Sequence, residues 1–459
     1  MKKKPNLIFI LNDHQAFYGH GMNGGVKPLR PNFEKFAAEG MDFTNAYCVT
    51  PMCGPARRSL LTGLYPHTHG QVHNENDPPY NHEVYLDALA TEGGYHNYYF
   101  GKWHAGPGCA YDHHCEGLSE TSYGNPYNTK EYADYLRRKG LPKAKHFIER
   151  KFECAAYAEQ NYFPKLADGA LYECEDKWCG EHAIGITTTP KETHEAFFLA
   201  SLACDKLEEL AKVKSDEPFA LRVDFWGPHQ PFFPTQEFID MYRPEDITEY
   251  PSFRNDLHDK PNTLHTEVTM PMGDGTNIVI PNPIPWKDWQ TILTRCYAHG
   301  SMLDAAGGVI LDKIRALGLD EDTIIIWSTD HGDAIACQGG HFDKDSHMAQ
   351  EVERIPMAMS WKDHIAPRQT CDKLVYTCDI PVTLMDGAGL TFHNPVDGAS
   401  LLDLALHTEE ENHWRDSLMC ETYGHGYGVT IIGRMVVKGD YKYCCTENDL
   451  DELYNLIPL

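Results

Sequence analysis

A chain of 459 residues with 42% hydrophobic and 11% aromatic content has room for one large α/β domain plus a smaller partner, built on a sizeable core. Its formal net charge of −27 argues against nucleic acid and against an anionic membrane surface as partners. An anionic substrate has to be drawn in by local positive charge, because the overall field repels it.

The first element is a short continuous apolar run, Leu7 to Leu11, the pattern of a strand covered on both faces. Behind Met1-Lys2-Lys3-Lys4 it mimics a signal peptide, but polar Asn12-Asp13-His14 follows at once and no small-residue cleavage site comes after it. The reading is therefore a buried strand of a cytoplasmic protein without a membrane span, whose 15 cysteines are mostly reduced thiols. That strand delivers Asp13 and His14 at its carboxyl end, where open α/β sheets place their ligands. A turn or capping aspartate is the plain alternative.

Arg30 to Gly40 reads as a capped helix ending at glycine. Cys53-Gly54-Pro55-Ala56-Arg57-Arg58-Ser59-Leu60-Leu61-Thr62-Gly63 reads as a loop turning into a short helix, with Pro55 near its start and Gly63 as its stop. Cys53 then meets free backbone N–H groups, which favour an anion and lower a thiol pKa. Arg57, one turn on, can fork onto the same anion. The bland alternative is a core cysteine beside a surface arginine. Leu86 to Thr91 is a further helix, and Tyr98 to Phe100 a strand emptying into Gly101-Lys102-Trp103-His104.

From about 106 to 190 no clear periodicity emerges, and the stretch reads as insertions around a site mouth. Cys109, Cys115, Cys174 and Cys179 are spaced too loosely there for a zinc ribbon, and His113-His114 is a weak metal hint. Glu195 to Val213 is an amphipathic helix with Phe198, Leu202, Leu207 and Leu210 toward the core. Phe219 to Phe225 is a strand opening into Trp226-Gly227-Pro228-His229-Gln230-Pro231-Phe232, followed by a proline-rich segment over about 235–286. Trp289 to Leu317 is a long helix, broken or kinked near Gly300 and Gly307-Gly308. Thr323 to Thr329 is the clearest buried strand and ends in Asp330-His331-Gly332-Asp333. Lys344 and His347 follow, and near the C-terminus Arg434 to Val437 and Tyr441 to Tyr443 alternate as antiparallel strands. Four separate strands thus end in polar clusters, and in one doubly wound sheet those ends converge on a single crevice.

Phe43-Thr44-Asn45-Ala46-Tyr47-Cys48, Cys53-x-Pro55-x-Arg57, Leu61-Thr62-Gly63 and Tyr65-Pro66-His67-Thr68-His69-Gly70 together resemble the signature of the type I sulfatases of the alkaline phosphatase superfamily, with Ala56 where serine is more usual. The likeness extends over most of 1–105, 219–232 and 290–459. It implies an alkaline-phosphatase-like α/β sandwich over residues 1–370, with a large mostly parallel central sheet flanked by helices, and a C-terminal antiparallel-sheet subdomain over 371–459. It also implies that a maturation enzyme oxidises Cys53 to formylglycine, whose hydrate is the nucleophile.

By the same resemblance the metal ligands are Asp13, residue 53, Asp330 and His331, with His14 in the place of a second aspartate. The cation expected is calcium, with manganese the rival because imidazole softens the site. Arg57, Lys102 and Lys344 are expected to neutralise the transferring sulfuryl group, His229 to protonate the leaving alcohol, and His104 to release sulfate. Lys344 lies one residue further from Arg354 than the family pattern wants, which leaves His347 as the alternative cation. The expected substrate is a small sulfated sugar, steroid or aryl compound. A phosphonate monoester or phosphodiester hydrolase is the alternative chemistry, and an anion-binding protein that keeps Cys53 as a thiol is the non-enzymatic one.

Overall fold

Leu7 to Leu11 are at most 2% exposed because β1 (Asn6–Asp13) runs through the middle of a sheet with a parallel neighbour on each side. The computed structural model describes residues 4–17, 26–74, 76–151, 169, 171–173, 183–213, 217–265, 282–344, 347–407, 413–424 and 431–457. The central sheet has eight strands, the others being β2 (Met41–Phe43), β4 (His96–Lys102), β5 (Cys115–Glu120), β9 (Phe219–Pro228), β10 (Thr323–Thr329), β11 (Met357–Trp361) and β12 (Gln369–Cys371). Their order is β12-β2-β11-β10-β1-β9-β4-β5, and only β11 runs against its neighbours.

Alternation along β1 sorts its side chains between two cores. Ile8 and Ile10 pack with Trp327, Leu221 and Val223 beneath the helices Pro31–Ala38, Glu195–Val213 and Trp286–Ala316. Leu7, Phe9 and Leu11 pack on the opposite face with Leu60 and Leu61 of the helix Cys53–Thr62 and with Ile380 and Leu384 of the helix Asp379–Gly387. The helix Glu195–Val213 has the predicted bounds, with Phe198 and Leu207 fully buried and Leu202 and Leu210 at the core's margin.

Two expectations are corrected. The helix Trp286–Ala316 is continuous for 31 residues through Gly300, Gly307 and Gly308. The paired glycines are seats for neighbours rather than breaks: a Cβ on Gly307 would come within 2.4 Å of the Trp327 ring, and one on Gly308 within 2.4 Å of Asn32. The stretch read as insertion also supplies β5, an edge strand of the central sheet whose short polar sequence hides it from a periodicity search.

The remaining strands form smaller units. β3 (Ala46–Tyr47) pairs with β13 (Val375–Tyr376), and β6 (Lys145–Lys151), β7 (Leu171–Glu173) and β8 (Ala183–Thr187) make a three-stranded sheet in the order β7-β6-β8. The predicted C-terminal antiparallel sheet is present with four strands, β14 (Ser417–Thr422), β15 (Gly433–Lys438), β16 (Tyr441–Thr446) and β17 (Glu452–Asn455). The 12 cysteines among the described residues are all free, while Cys174 and Cys179 lie outside them. His113 pairs with Asp87 at 3.0 Å and stacks on Trp103, which is a structural use. Among the described residues no helix is long and apolar enough to cross a membrane.

Candidate active site

The four middle strands, β10, β1, β9 and β4, are consecutive neighbours, so their carboxyl ends open side by side. They carry Asp330 and His331, Asp13 and His14, His229, and Lys102 and His104 respectively. The helix Cys53–Thr62 points its N-terminus into that row, is buried along its whole length, and ends at Gly63 in the left-handed conformation.

Cys53 is 2% exposed, with Sγ 3.0 Å from His331 Nε2 and 4.0 Å from Asp13 Oδ1. Burial pushes the thiol up to about 12, against the lowering expected from the helix N-terminus. The Lys344 and Lys102 charges oppose that shift, Asp13 and Asp330 add to it, and desolvation prevails. His331 Nδ1 lies 2.9 Å from the Gly332 carbonyl. A carbonyl only accepts, so Nδ1 carries the proton and Nε2 offers its lone pair toward residue 53.

Arg57 is the hub of the charges below. Nε donates to Asp330 Oδ2 (2.9 Å), Nη2 to Asp13 Oδ2 (2.8 Å), and Nη1 to Asp224 Oδ2 (3.0 Å) and the Lys102 carbonyl (2.9 Å). With all three edges committed to carboxylates, Arg57 grips the groups that line the site. The sequence had cast it as a partner of the substrate anion. Lys102 Nζ donates to Asp13 Oδ2 at 2.5 Å and sits 4.0 Å from the centroid of the Tyr123 ring. Burial alone would raise the Asp13 carboxyl, but the Lys102 and Arg57 charges hold it well below the usual carboxylate range.

Asp13, Cys53, Asp330 and His331 offer ligand atoms that all lie within 4.8 Å of one another, every one buried. Two carboxylates, a neutral imidazole with an oriented lone pair and a small residue at position 53 fit a divalent cation. His14 stands beside this group rather than in it. It forms a second possible triad with Asp13 and His229, and its Nε2 is 3.2 Å from Asp343 and 3.5 Å from Asp333. Its backbone φ is 64°, and its ring meets those of His229 and His331 edge-on.

The other expected residues face the same crevice. His229 is buried, and its Nδ1 donates to the Gln230 carbonyl at 2.7 Å, leaving Nε2 as an acceptor. Desolvation first, then neighbouring positive charge, holds His229 and His104 well below the ordinary histidine range, so both are neutral. His104 Nδ1 has no hydrogen-bond partner among the described residues. Lys344 is buried 3.3 Å from Asp343, and its charge acts on Cys53, His14, His229 and His331. His347 packs instead against His341, with ring centroids 4.4 Å apart.

Several residues of the site were missed. Tyr123 lies over Lys102 with its ring near His104 and His229, held there by Trp226 Nε1 donating to its carbonyl at 2.7 Å. Asn74 Oδ1 accepts from the Gly54 N–H at 2.9 Å. Arg222 and Asp224 sit within β9 and were read only as part of the strand Phe219 to Phe225. Opposite charges two apart, hence on one face of a fully buried strand, were the available signal.

The sequence profile described as Sulfatase matches residues 5–390, and the one described as N-sulphoglucosamine sulphohydrolase, C-terminal, matches 338–457. An ulvan-active sulfatase of Formosa agariphila is 27% identical over 412 residues, covering 89% of this chain and 66% of that protein, just under two thirds of its length. An arylsulfatase of Clostridium perfringens is 25% identical over 487 residues, covering 99% of this chain and 90% of the relative. Among solved structures, the phosphonate monoester hydrolase of Agrobacterium radiobacter superposes with a TM-score of 0.73 at 21% identity, covering 99% and 89% of the two chains. A protein solved with its substrate D-glucosamine-2-N,6-O-disulfate superposes with a TM-score of 0.67 at 18% identity, covering 99% and 91%. The structural likenesses speak for the fold, and the Sulfatase profile spans most of the chain: it belongs to the sulfatase family of sulfuric ester hydrolases.

Proposed function

We propose that the chain hydrolyses a sulfate ester of a sugar, with Cys53 as the residue converted to formylglycine by a maturation enzyme. Asp13, Asp330 and His331 would hold one divalent cation together with residue 53. What carries the reading is the meeting of a small buried position, four ligand atoms within 4.8 Å and the buried Lys102 and Lys344 at one crevice. The hydrated aldehyde and the cation would supply a hydroxyl nucleophile and Lewis acidity when present.

The side chains have distinct jobs in this reading. Lys102 and Lys344 offer fixed positive charge to the sulfuryl oxygens, where charge builds during transfer. Arg57 acts on substrate only indirectly, by fixing Asp13 and Asp330. His104, neutral and with Nδ1 open, is suited to accept a proton from a hydroxyl of residue 53. His229 starts as an acceptor at Nε2. Burial first, and the neighbouring positive charges after it, keep His229 neutral; an anionic ester bound beside it favours uptake of a proton from solvent, which it then passes to the leaving alcohol. Calcium suits the carboxylate ligands and manganese the imidazole.

The sugar is favoured by the C-terminal match to an N-sulphoglucosamine sulphohydrolase profile and by the solved relative bound to a glucosamine disulfate. The test is a comparison of kcat/KM on glucosamine sulfates, aryl and steroid sulfates and an aryl phosphonate monoester, using protein whose aldehyde at position 53 is verified by mass. Highest turnover on a sugar sulfate is expected. Faster phosphonate hydrolysis would move the chain to the alternative that the phosphonate hydrolase superposition keeps open. No turnover of any ester by aldehyde-bearing protein would leave an anion-binding role.

A further inference from the structure

Beneath the ligand carboxylates lies a second layer of charge that touches no reacting group. Asp224 is fully buried and receives hydrogen bonds from Arg222 Nε (2.7 Å) and Nη2 (2.8 Å), the Tyr99 hydroxyl (2.8 Å) and Arg57 Nη1 (3.0 Å). The single Tyr99 hydroxyl proton is shared between Asp224 and the Lys102 carbonyl, which lies 2.6 Å away, so the end of β4 is tied to the same knot. Arg222 is itself immobilised, buried between the rings of Phe9 and Tyr99 with centroids 5.0 and 5.5 Å from its guanidinium carbon.

We propose that Asp224, clamped by Arg222 and Tyr99, is a positioning residue that sets the cation affinity of the site through Arg57. The geometry gives two reasons that act in the same direction. Each edge of the Arg57 guanidinium is pinned by a different carboxylate, Nε by Asp330, Nη2 by Asp13 and Nη1 by Asp224, so Asp224 fixes the rotation of the plane that aims the other two. The network also balances the cations Arg57, Lys102 and Arg222 against the anions Asp13, Asp330 and Asp224. Removing the Asp224 charge leaves a buried positive excess next to the carboxylates that would hold a divalent ion, and charge is poorly screened there.

This inference rests on the reading of Asp13 and Asp330 as cation holders. The test is calorimetric titration of calcium, and separately manganese, into metal-stripped full-length protein, native and Asp224→Asn. The asparagine keeps the shape, and the expected Kd is about 10–100-fold weaker. The thermal midpoint of the metal-free proteins is measured alongside. A lowered midpoint with Kd within about twofold of native would make Asp224 merely the counter-ion of Arg222 and overturn the proposal. Should Asp224→Asn fail to fold, Tyr99→Phe decides, because it removes one hydroxyl from the same carboxylate. A Kd raised at least about threefold supports the proposal and an unchanged one overturns it. Native protein that binds neither ion would instead overturn the reading of the ligands themselves.

Discussion

Replacing Arg57 by lysine keeps the charge and discards the fork. The guanidinium makes N–H···O contacts at 2.8, 2.9, 2.9 and 3.0 Å, spread over three edges toward Asp13, Asp330, Asp224 and the Lys102 carbonyl. An ammonium presents its three hydrogens from one point and cannot reach three carboxylates arranged around a plane. At least one of them is left buried without its partner. A hydrogen bond to a charged group is worth about 1.5–3 kcal/mol, and stripping a buried charge of its partner costs about 3–5 kcal/mol. Expressed at the transition state, about 3 kcal/mol is about 10²-fold in kcat/KM. The assay is kcat/KM on an aryl sulfate for native and Arg57→Lys protein, with calcium saturating and the aldehyde content at residue 53 quantified by peptide mass spectrometry. A variant within about threefold of native at equal aldehyde content would refute the hub argument, since that corresponds to less than about 1 kcal/mol.

Five further outcomes are expected. Peptide mass spectrometry of an active preparation should find part of residue 53 as aldehyde, and Cys53→Ala should fold yet lose nearly all turnover. Lys102→Ala should lose about 10²–10³-fold in rate, as for one charge-stabilising donor. His104→Ala should instead release a burst of alcohol and then stall with sulfate held on residue 53, which rapid-quench kinetics with intact-protein mass would detect. Elemental analysis should find one calcium or manganese per chain, and full activity after exhaustive chelation would reject a catalytic cation. The last outcome concerns pH. Burial pushes the Glu195 carboxyl up to about 8 despite hydrogen bonds from the Trp226 and Gly227 N–H groups. A raised carboxyl is neutral in both states below its unfolded value of 4.5, and the stability it lends is lost as pH climbs from there to about 8. The fall in unfolding midpoint over that window should be shallower in Glu195→Gln than in native protein.

The parts of the molecule that could be read from the sequence are those where a single physical demand dominates. The runs Leu7–Leu11 and Ile324–Trp327 are apolar throughout because both faces of β1 and β10 are covered, so strand and site followed from one pattern. Lys102, His229 and Asp330 sit at or just beyond strand ends and Cys53 at a helix start, and each could be picked out one by one. What escaped was pairwise. Arg222 and Asp224 are legible only as partners of each other and of Arg57, which is 167 residues away from Asp224 along the chain. The thiol of Cys53 was misjudged for the same reason: the helix N-terminus is a local feature, whereas the sealing of that N-terminus by strands from across the chain is not. Gly307 and Gly308 look like breakers until Trp327 and Asn32 are seen pressed against them.

The strand order has a bearing on how the molecule comes into being. β1 lies between β9 and β10, which pair with it across more than 200 and 300 positions, Leu7 with Ala220 and Asn6 with Thr323. The central pairing is therefore of very high contact order, and the loop-closure entropy must be met before those contacts repay it. During synthesis Asp13 emerges early, and the Asp330 and His331 proposed to share an ion with it join it only when β10 has inserted beside β1. With the proposed ligands, cation capture would consequently be a late event that reports completed assembly of the sheet. An ion-sensitive signal followed during refolding should rise with the final phase, after most helical content has formed.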